Sequence, residues 1–337
     1  MSKELLSPEE IRMPAITVEN LLVLPRVDRP DPATTVDRPV ERVVTSHRQL
    51  EGAGFEIWRP FPGELSFTDA DPFVLLDQVG PRVNGPNETA GAPWHPHRGF
   101  ETVSYIMDGE VSHHDTNGGG GVIGEGDTQW MTAGAGILHD ELPTERSYRL
   151  GGPMHAVQLW VNLPGALKFT PPRYQAITRD DLLLLTSHDG SALLRLVAGD
   201  VGGFSGPGAT HTPITYVHAT IAPGAELRLP WNPRFNALAY VLTGRGHAGP
   251  QEQPIQDHQL VQFGAGDNLV LRAADHIDEW DALDVLLLGG LPIREPIMQY
   301  GPFVMNTRQE IAQAIEDYQA GRLGVIPADQ LAPRKFS

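Results

Sequence analysis

The chain contains no cysteine. That excludes a disulfide framework and any thiolate metal site, so a bound metal would have to be held by histidine and carboxylate. No run approaches the roughly 18 apolar residues that cross a bilayer as a helix, and the opening residues MSKELLSPEEIRMP lack the basic start and apolar centre of a secretory signal. Positive charge is scarce: Lys and Arg number 25 against 42 Asp and Glu, a formal net charge of −17. Such a balance repels phosphate backbones and anionic lipid, which argues against direct nucleic-acid or membrane binding and leaves a protein partner open. The expectation from these absences is a soluble, cytoplasmic protein.

What is present points to β structure. With 36 Gly, 30 Pro and 40% hydrophobic residues in 337, the chain is globular, turn-rich and longer than one hydrophobic core usually grows, so two domains are expected. Residues 1–38 stand apart. RVDRPDPATTVDRP (26–39) has little to bury, Ser7 to Glu10 could cap one helical turn, and the apolar ITVENLLVLP (16–25) predicts a strand added to a barrel edge. From about residue 40 to the low 290s, short alternating runs recur between Gly, Pro, Asn and Asp clusters, the pattern of an all-β sandwich or barrel. HAVQLWVNLP (155–164) sets Val157, Leu159 and Val161 on one face and Ala156, Gln158 and Trp160 on the other. One helix is expected near the end, where Thr307 and Glu310 form a capping box before the stripe Ile311, Ala314, Ile315 and Tyr318.

An internal repeat organises the rest. WHPHRGFETVSYIMDG (94–109) overlies WNPRFNALAYVLTG (231–244) with one two-residue gap, matching Trp94 with Trp231, Phe100 with Phe235, Tyr105 with Tyr240 and Gly109 with Gly244. Downstream, GEGD (124–127) falls on GAGD (264–267), which suggests a duplicated barrel. The repeat keeps scaffold residues and drops ligand types: His95 becomes Asn232, His97 becomes Arg234 and Glu101 becomes Asn236. Arg234 would place a fixed positive charge inside the second barrel and repel a divalent cation there.

On a strand, residues i and i+2 share a face, so His95 and His97 present two imidazoles side by side. His139 and Glu141 repeat that spacing, and two such pairs on neighbouring strands could converge on one point. Nitrogen and oxygen donors with room for water suit Fe(II), Mn(II), Ni(II), Cu(II) or Zn(II), and the donors alone do not choose among them. Glu101 is an alternative carboxylate, since HxHxxxE is itself a ligand spacing. His113 and His114 are adjacent, so they face opposite ways, and HHDTNGGGG reads as a strand running into a flexible turn. His211, His218, His247, His258 and His276 lack paired spacing and are taken as structural or surface residues.

The stretches HPHRGFETVSY, GDTQWMTAGAGILHDE, VQLWVNLP, TPPRYQ and QYGPFVMNT together resemble the pirin family, bicupin proteins of the cupin superfamily. The resemblance implies an all-β fold of two duplicated cupin (double-stranded β-helix, or jelly-roll) barrels with a C-terminal helix. It implies an N-terminal extension at 1–38, a metal-binding barrel at 39–172 and a metal-free barrel with the terminal helix at 173–337. It implies one divalent ion per chain, usually iron, on His95, His97, His139 and Glu141, with Glu101 nearby and not a ligand; Mn, Ni, Co, Cu and Zn are the other candidates. Pirins divide between quercetin 2,3-dioxygenases and redox-responsive coregulators. The leading expectation is therefore dioxygenation of a small aromatic, flavonol-like substrate with O2, with Glu141 as general base. The alternative is a redox-sensing iron protein that regulates by binding a protein partner.

Overall fold

A computed structural model describes residues 16–52, 54–275 and 282–330. The first half builds a seven-stranded antiparallel sheet in the spatial order Arg173–Ile177, Thr128–Thr132, Phe100–Asp108, Gly152–Asn162, Phe73–Asn84, Phe55–Phe61 and His47–Glu51. A four-stranded sheet accompanies it, ordered Ala92–His97, Ile137–Pro143, Val111–Asp115 and Gly120–Ile123. The second half repeats both sheets strand for strand. Its larger sheet is ordered Val40–Thr45, Gln259–Phe263, Leu238–Thr243, Leu283–Gly290, Ile214–Ile221, Ala192–Ala198 and Leu183–Thr186. Its smaller sheet is ordered Glu226–Pro230, Asn268–Ala273, Arg245–Ala248 and Gln253–Gln256. Two jelly-roll barrels result, as a duplicated all-β chain requires.

The barrels exchange edge strands. Val40–Thr45, expected in the first unit, pairs with Gln259–Phe263 of the second, and Arg173–Ile177, expected to open the second, closes the edge of the first against Thr128–Thr132. Each exchange covers a row of backbone groups that an open sheet would leave unpaired. The two large sheets share one core, in which Tyr105, Trp130 and Leu159 of the first barrel are buried with Tyr216, Tyr240 and Leu286 of the second. The alternation of 155–164 follows from this. Val157, Leu159 and Val161 enter the shared core, whereas Trp160 packs with Leu75 and Phe100 in a separate cluster.

The N-terminal segment differs from the expected added strand. Asn20 accepts a hydrogen bond from the Leu22 N–H and turns residues Leu21–Val23 into a short 3-10 helix, leaving Leu22 and Val23 exposed. Two isolated bridges, Arg26 to Thr186 and Asp37 to Asn268, tie this segment to the second barrel without making it a strand. The capped turn at Ser7 to Glu10 lies outside the described residues.

The terminal helix Arg308–Gln319 forms with its Thr307–Glu310 capping box in place. It does not pack on the second barrel. Ile311 and Ala314 are buried with Leu138, Phe303 and Met305, so the end of the chain returns to the first barrel, and Arg98 pairs with Asp317 of the helix at 2.7 Å. Lys168 fastens this return. Its buried ammonium donates to the carbonyls of Gly99 and Val304 and to Asn162 Oδ1, at 2.7 to 2.8 Å.

Candidate metal centre

Ala92–His97 and Ile137–Pro143 pair antiparallel with His139 opposite His95, so the two pairs of like-facing side chains meet across one strand boundary. One ligand atom each of His95, His97 and His139 lies within 4.8 Å of the others. His97 and His139 are buried and His95 half-buried. Burial, together with the neighbouring His95 imidazole, holds His97 and His139 well below the ordinary histidine pKa.

The backbone decides which nitrogens are available. His95 Nδ1 lies 2.7 Å from the Pro93 carbonyl and His97 Nδ1 lies 3.2 Å from the Pro302 carbonyl. A carbonyl only accepts, so each Nδ1 carries the proton and, in the neutral rings, each Nε2 presents a lone pair. Those two Nε2 atoms are 3.1 Å apart, and His139 Nε2 is buried with no hydrogen-bond partner. A proton could bridge one pair of these atoms; a metal ion satisfies all three. The residues therefore fit a divalent metal on nitrogen donors, with two rings oriented by backbone carbonyls as metal-binding histidines usually are.

Glu141 shares the strand with His139 but clusters with His139 and His113 rather than with His95 and His97. Both its oxygens are engaged: Ser104 Oγ donates to one at 2.8 Å and Gln158 Nε2 to the other at 2.7 Å. Glu101 belongs to neither cluster. It is fully buried and accepts from Thr132 Oγ1 and from Thr210 Oγ1, both at 2.7 Å, tying the first barrel to the loop between Ala192–Ala198 and Ile214–Ile221 of the second.

His113 stands on a strand that runs into a turn, as expected, but it belongs to the cluster with His139 and Glu141, which the sequence reading did not suggest. Val111–Asp115 is the next strand of the small sheet, with His113 opposite Glu141 and His114 opposite Asp140. His113 is fully buried, and its Nδ1 lies 3.3 Å from His139 Nδ1. The missed signal was Asp115 at i+2 from His113, the same-face spacing that had singled out the other two pairs.

A cavity of about 750 Å³ opens beside this cluster and is lined by His95, His97, Glu141, Ser104 and Gln158 together with Trp94, Val157 and Trp160. The second barrel has no counterpart among the described residues. In the first, a row across four strands reads Gln129, Ser104, Gln158, Asp77; the matching row of the second reads Val261, Ala239, Leu287, Val217. Its small sheet adds Leu227, Leu229, Leu269 and Leu271 to the same apolar core. Arg234 plays no part in this, contrary to expectation. It sits exposed in a turn after the strand, because residues 231–237 of the second copy are not a strand at all. Among the other histidines, His218 is buried between Tyr105 and Asp284, His258 stacks on Trp58, and His276 lies outside the described residues.

Two jelly-roll barrels in tandem, one polar inside and equipped with converging histidines, the other filled with aliphatic side chains, define a bicupin whose metal-type donor clusters, among the described residues, all lie in the first barrel. The family model for pirin matches residues 54–161 and that for the pirin C-terminal cupin domain matches residues 216–324. The chain belongs to the pirin family. It is 40% identical over 279 residues to a Pseudomonas aeruginosa protein provisionally named a quercetin 2,3-dioxygenase, covering 82% of this chain and 95% of that one. It is 36% identical over 284 residues to the Homo sapiens protein named pirin, covering 83% and 92%. A solved structure titled quercetin 2,3-dioxygenase from Acinetobacter baumannii superposes with a TM-score of 0.80 at 34% identity, over 87% of this chain and all of that one. No helix among the described residues is long and apolar enough to cross a membrane.

Proposed function

We propose that the chain is a metal-dependent dioxygenase that opens an electron-rich aromatic enol of the flavonol type, with His95, His97, His139 and Glu141 holding one divalent ion, Fe(II) in the native protein. The observation that carries this reading is the convergence of three imidazole lone pairs beside a cavity large enough for a fused-ring substrate. The names of the Pseudomonas and Acinetobacter relatives support the substrate class. A bound ion would supply Lewis acidity and a template for the substrate hydroxyl and O2.

The chain's own residues do the rest. Trp94, Leu75 and Trp160 offer an apolar wall against which an aromatic ring displaces water. Ser104 and Gln158 fix the plane of the Glu141 carboxylate by donating to both its oxygens. Glu141 accepts the substrate hydroxyl proton at one oxygen once the donor on that oxygen turns away, which makes it the general base. Anaerobic addition of quercetin to the iron-loaded protein should shift the flavonol absorption band, and admission of oxygen should discharge it with release of CO. Absence of both shift and turnover with Fe, Mn, Ni, Co and Cu would end this reading.

A further inference from the structure

We propose that His113 and Asp115 are positioning residues that fix the tautomer of His139, so that its Nε2 lone pair faces the metal position. The proposal rests on the metal reading above. Its starting point is a clamp around a buried ring that nothing else in the proposed function uses. Tyr174 stacks on His113 with ring centroids 5.3 Å apart, Gln129 Nε2 lies 2.9 Å from His113 Nδ1, and His139 Nδ1 lies 3.3 Å from that same nitrogen. On the far side, His113 Nε2 faces Asp115 Oδ2 at 3.6 Å, and neither atom has any hydrogen-bond partner although both are buried.

Charge orders this chain of atoms. An Asp115 carboxylate cannot donate, so the Nε2 of His113 that faces it carries the proton. His113 Nδ1 is then an acceptor, as the donating Gln129 amide also requires. His139 Nδ1, 3.3 Å from that nitrogen, faces an acceptor and, as the longer of two donors, shares its lone pair with Gln129, which leaves His139 Nε2 bare. That is the atom found buried and unpartnered beside His95 and His97. Two histidines in the centre take their tautomer from backbone carbonyls; His139 takes its own from a carboxylate, relayed through a second ring.

The turn that sequence reading dismissed as flexible is built to hold this carboxylate. Asp115 Oδ1 accepts from the backbone N–H of Asn117 at 2.8 Å and of Gly119 at 2.9 Å, which fixes the side chain with Oδ2 toward His113. Gly119 leaves the room for it, since a Cβ there would lie 2.3 Å from Asp115 Oδ2 and 2.8 Å from Tyr174 Cβ. HHDTNGGGG, the Tyr of TPPRYQ and the Gln of GDTQWMT thus serve one ring.

The test is Asp115→Asn, which keeps the Oδ1 acceptor for the turn and exchanges a charged acceptor for an amide donor. A donor facing His113 Nε2 reverses its tautomer, and His139 reverses in turn, as amide replacement does in a catalytic triad. In the metal-free protein, nitrogen-15 spectra should place the His139 proton on Nδ1 in the wild type and on Nε2 in the variant. Co(II) should bind the variant about 10- to 100-fold more weakly, with an altered visible spectrum. His113→Gln should also weaken Co(II) binding. Asp140→Asn is the control, because the His114–Asp140 pair, 2.9 Å apart, faces away on the same two strands. An unchanged His139 tautomer with unchanged Co(II) affinity in Asp115→Asn overturns the proposal while leaving the metal reading intact. Failure of the wild type to bind Co(II) overturns both. Two Co(II) per chain, with one lost in His113→Gln, would make His113 a ligand and overturn the positioning role.

Discussion

Replacing Arg98 by methionine should release the terminal helix from the strand that carries the metal-type histidines. Arg98 Nη1 donates to Asp317 Oδ2 at 2.7 Å and Nε to the Ala135 carbonyl at 2.6 Å. The charged bond is worth about 1.5–3 kcal/mol, and the freed carbonyl about 1 kcal/mol, because Ala135 is only half-buried and regains water. Asp317 keeps Arg322 at 2.7 Å and Gln313 at 2.8 Å, so its charge is not stranded, and methionine preserves the apolar volume beside Phe169. The sum is roughly 2.5–4 kcal/mol of docking free energy, a rise of roughly 60- to 1000-fold in the undocked population. Native-state hydrogen exchange of the amides in Arg308–Gln319 reads that population directly. Arg322→Met, at a half-exposed side chain, should change it little. Helix protection in Arg98→Met within threefold of the wild type would refute the claim that this ion pair holds the return in place.

Two further outcomes follow from the same region. Gly99→Ala should lower stability by more than about 2 kcal/mol in denaturant titration, because Gly99 has φ +91° and a Cβ there would lie 2.0 Å from the Val304 carbonyl oxygen; a midpoint equal to the wild type's would contradict the close approach. Helix docking should also depend on acid. Arg98, then Gln313 and Arg322, hold the Asp317 carboxyl down at about 2, below its unfolded value. The folded state therefore stays ionised where the unfolded chain takes up a proton, and this contribution is complete above about pH 4 and lost as pH falls toward 2. Arg98→Met should flatten that part of the profile of helix protection against pH.

The sequence carried most of the site because strand periodicity is local. His95 with His97, and His139 with Glu141, each share a face by counting two, and the loss of such residues from the second repeat pointed to one barrel. The same count applied to His113 and Asp115 would have found the third pair; attention to the adjacent His114 hid it. The roles of Ser104 and Gln158 depend on register between strands far apart in the chain, which no local pattern encodes. Arg234 was misplaced for a related reason: alignment matched its letter to His97, while the backbone had already left the strand. The helix was readable from its cap and stripe, but its destination was not. A stripe of Ile311 and Ala314 says that a face is buried, and only the long-range pairing of Arg98 with Asp317 says where.

The central claim is that three imidazoles of the first barrel together with Glu141, and nothing in the second, hold a metal. Elemental analysis of the purified wild type beside His97→Ala and Arg234→Ala tests it most directly. One divalent ion per chain is expected in the wild type and in Arg234→Ala, with most of it lost from His97→Ala, where one of three converging imidazoles is gone. Undiminished metal in His97→Ala, or a loss as large in Arg234→Ala, would contradict the account.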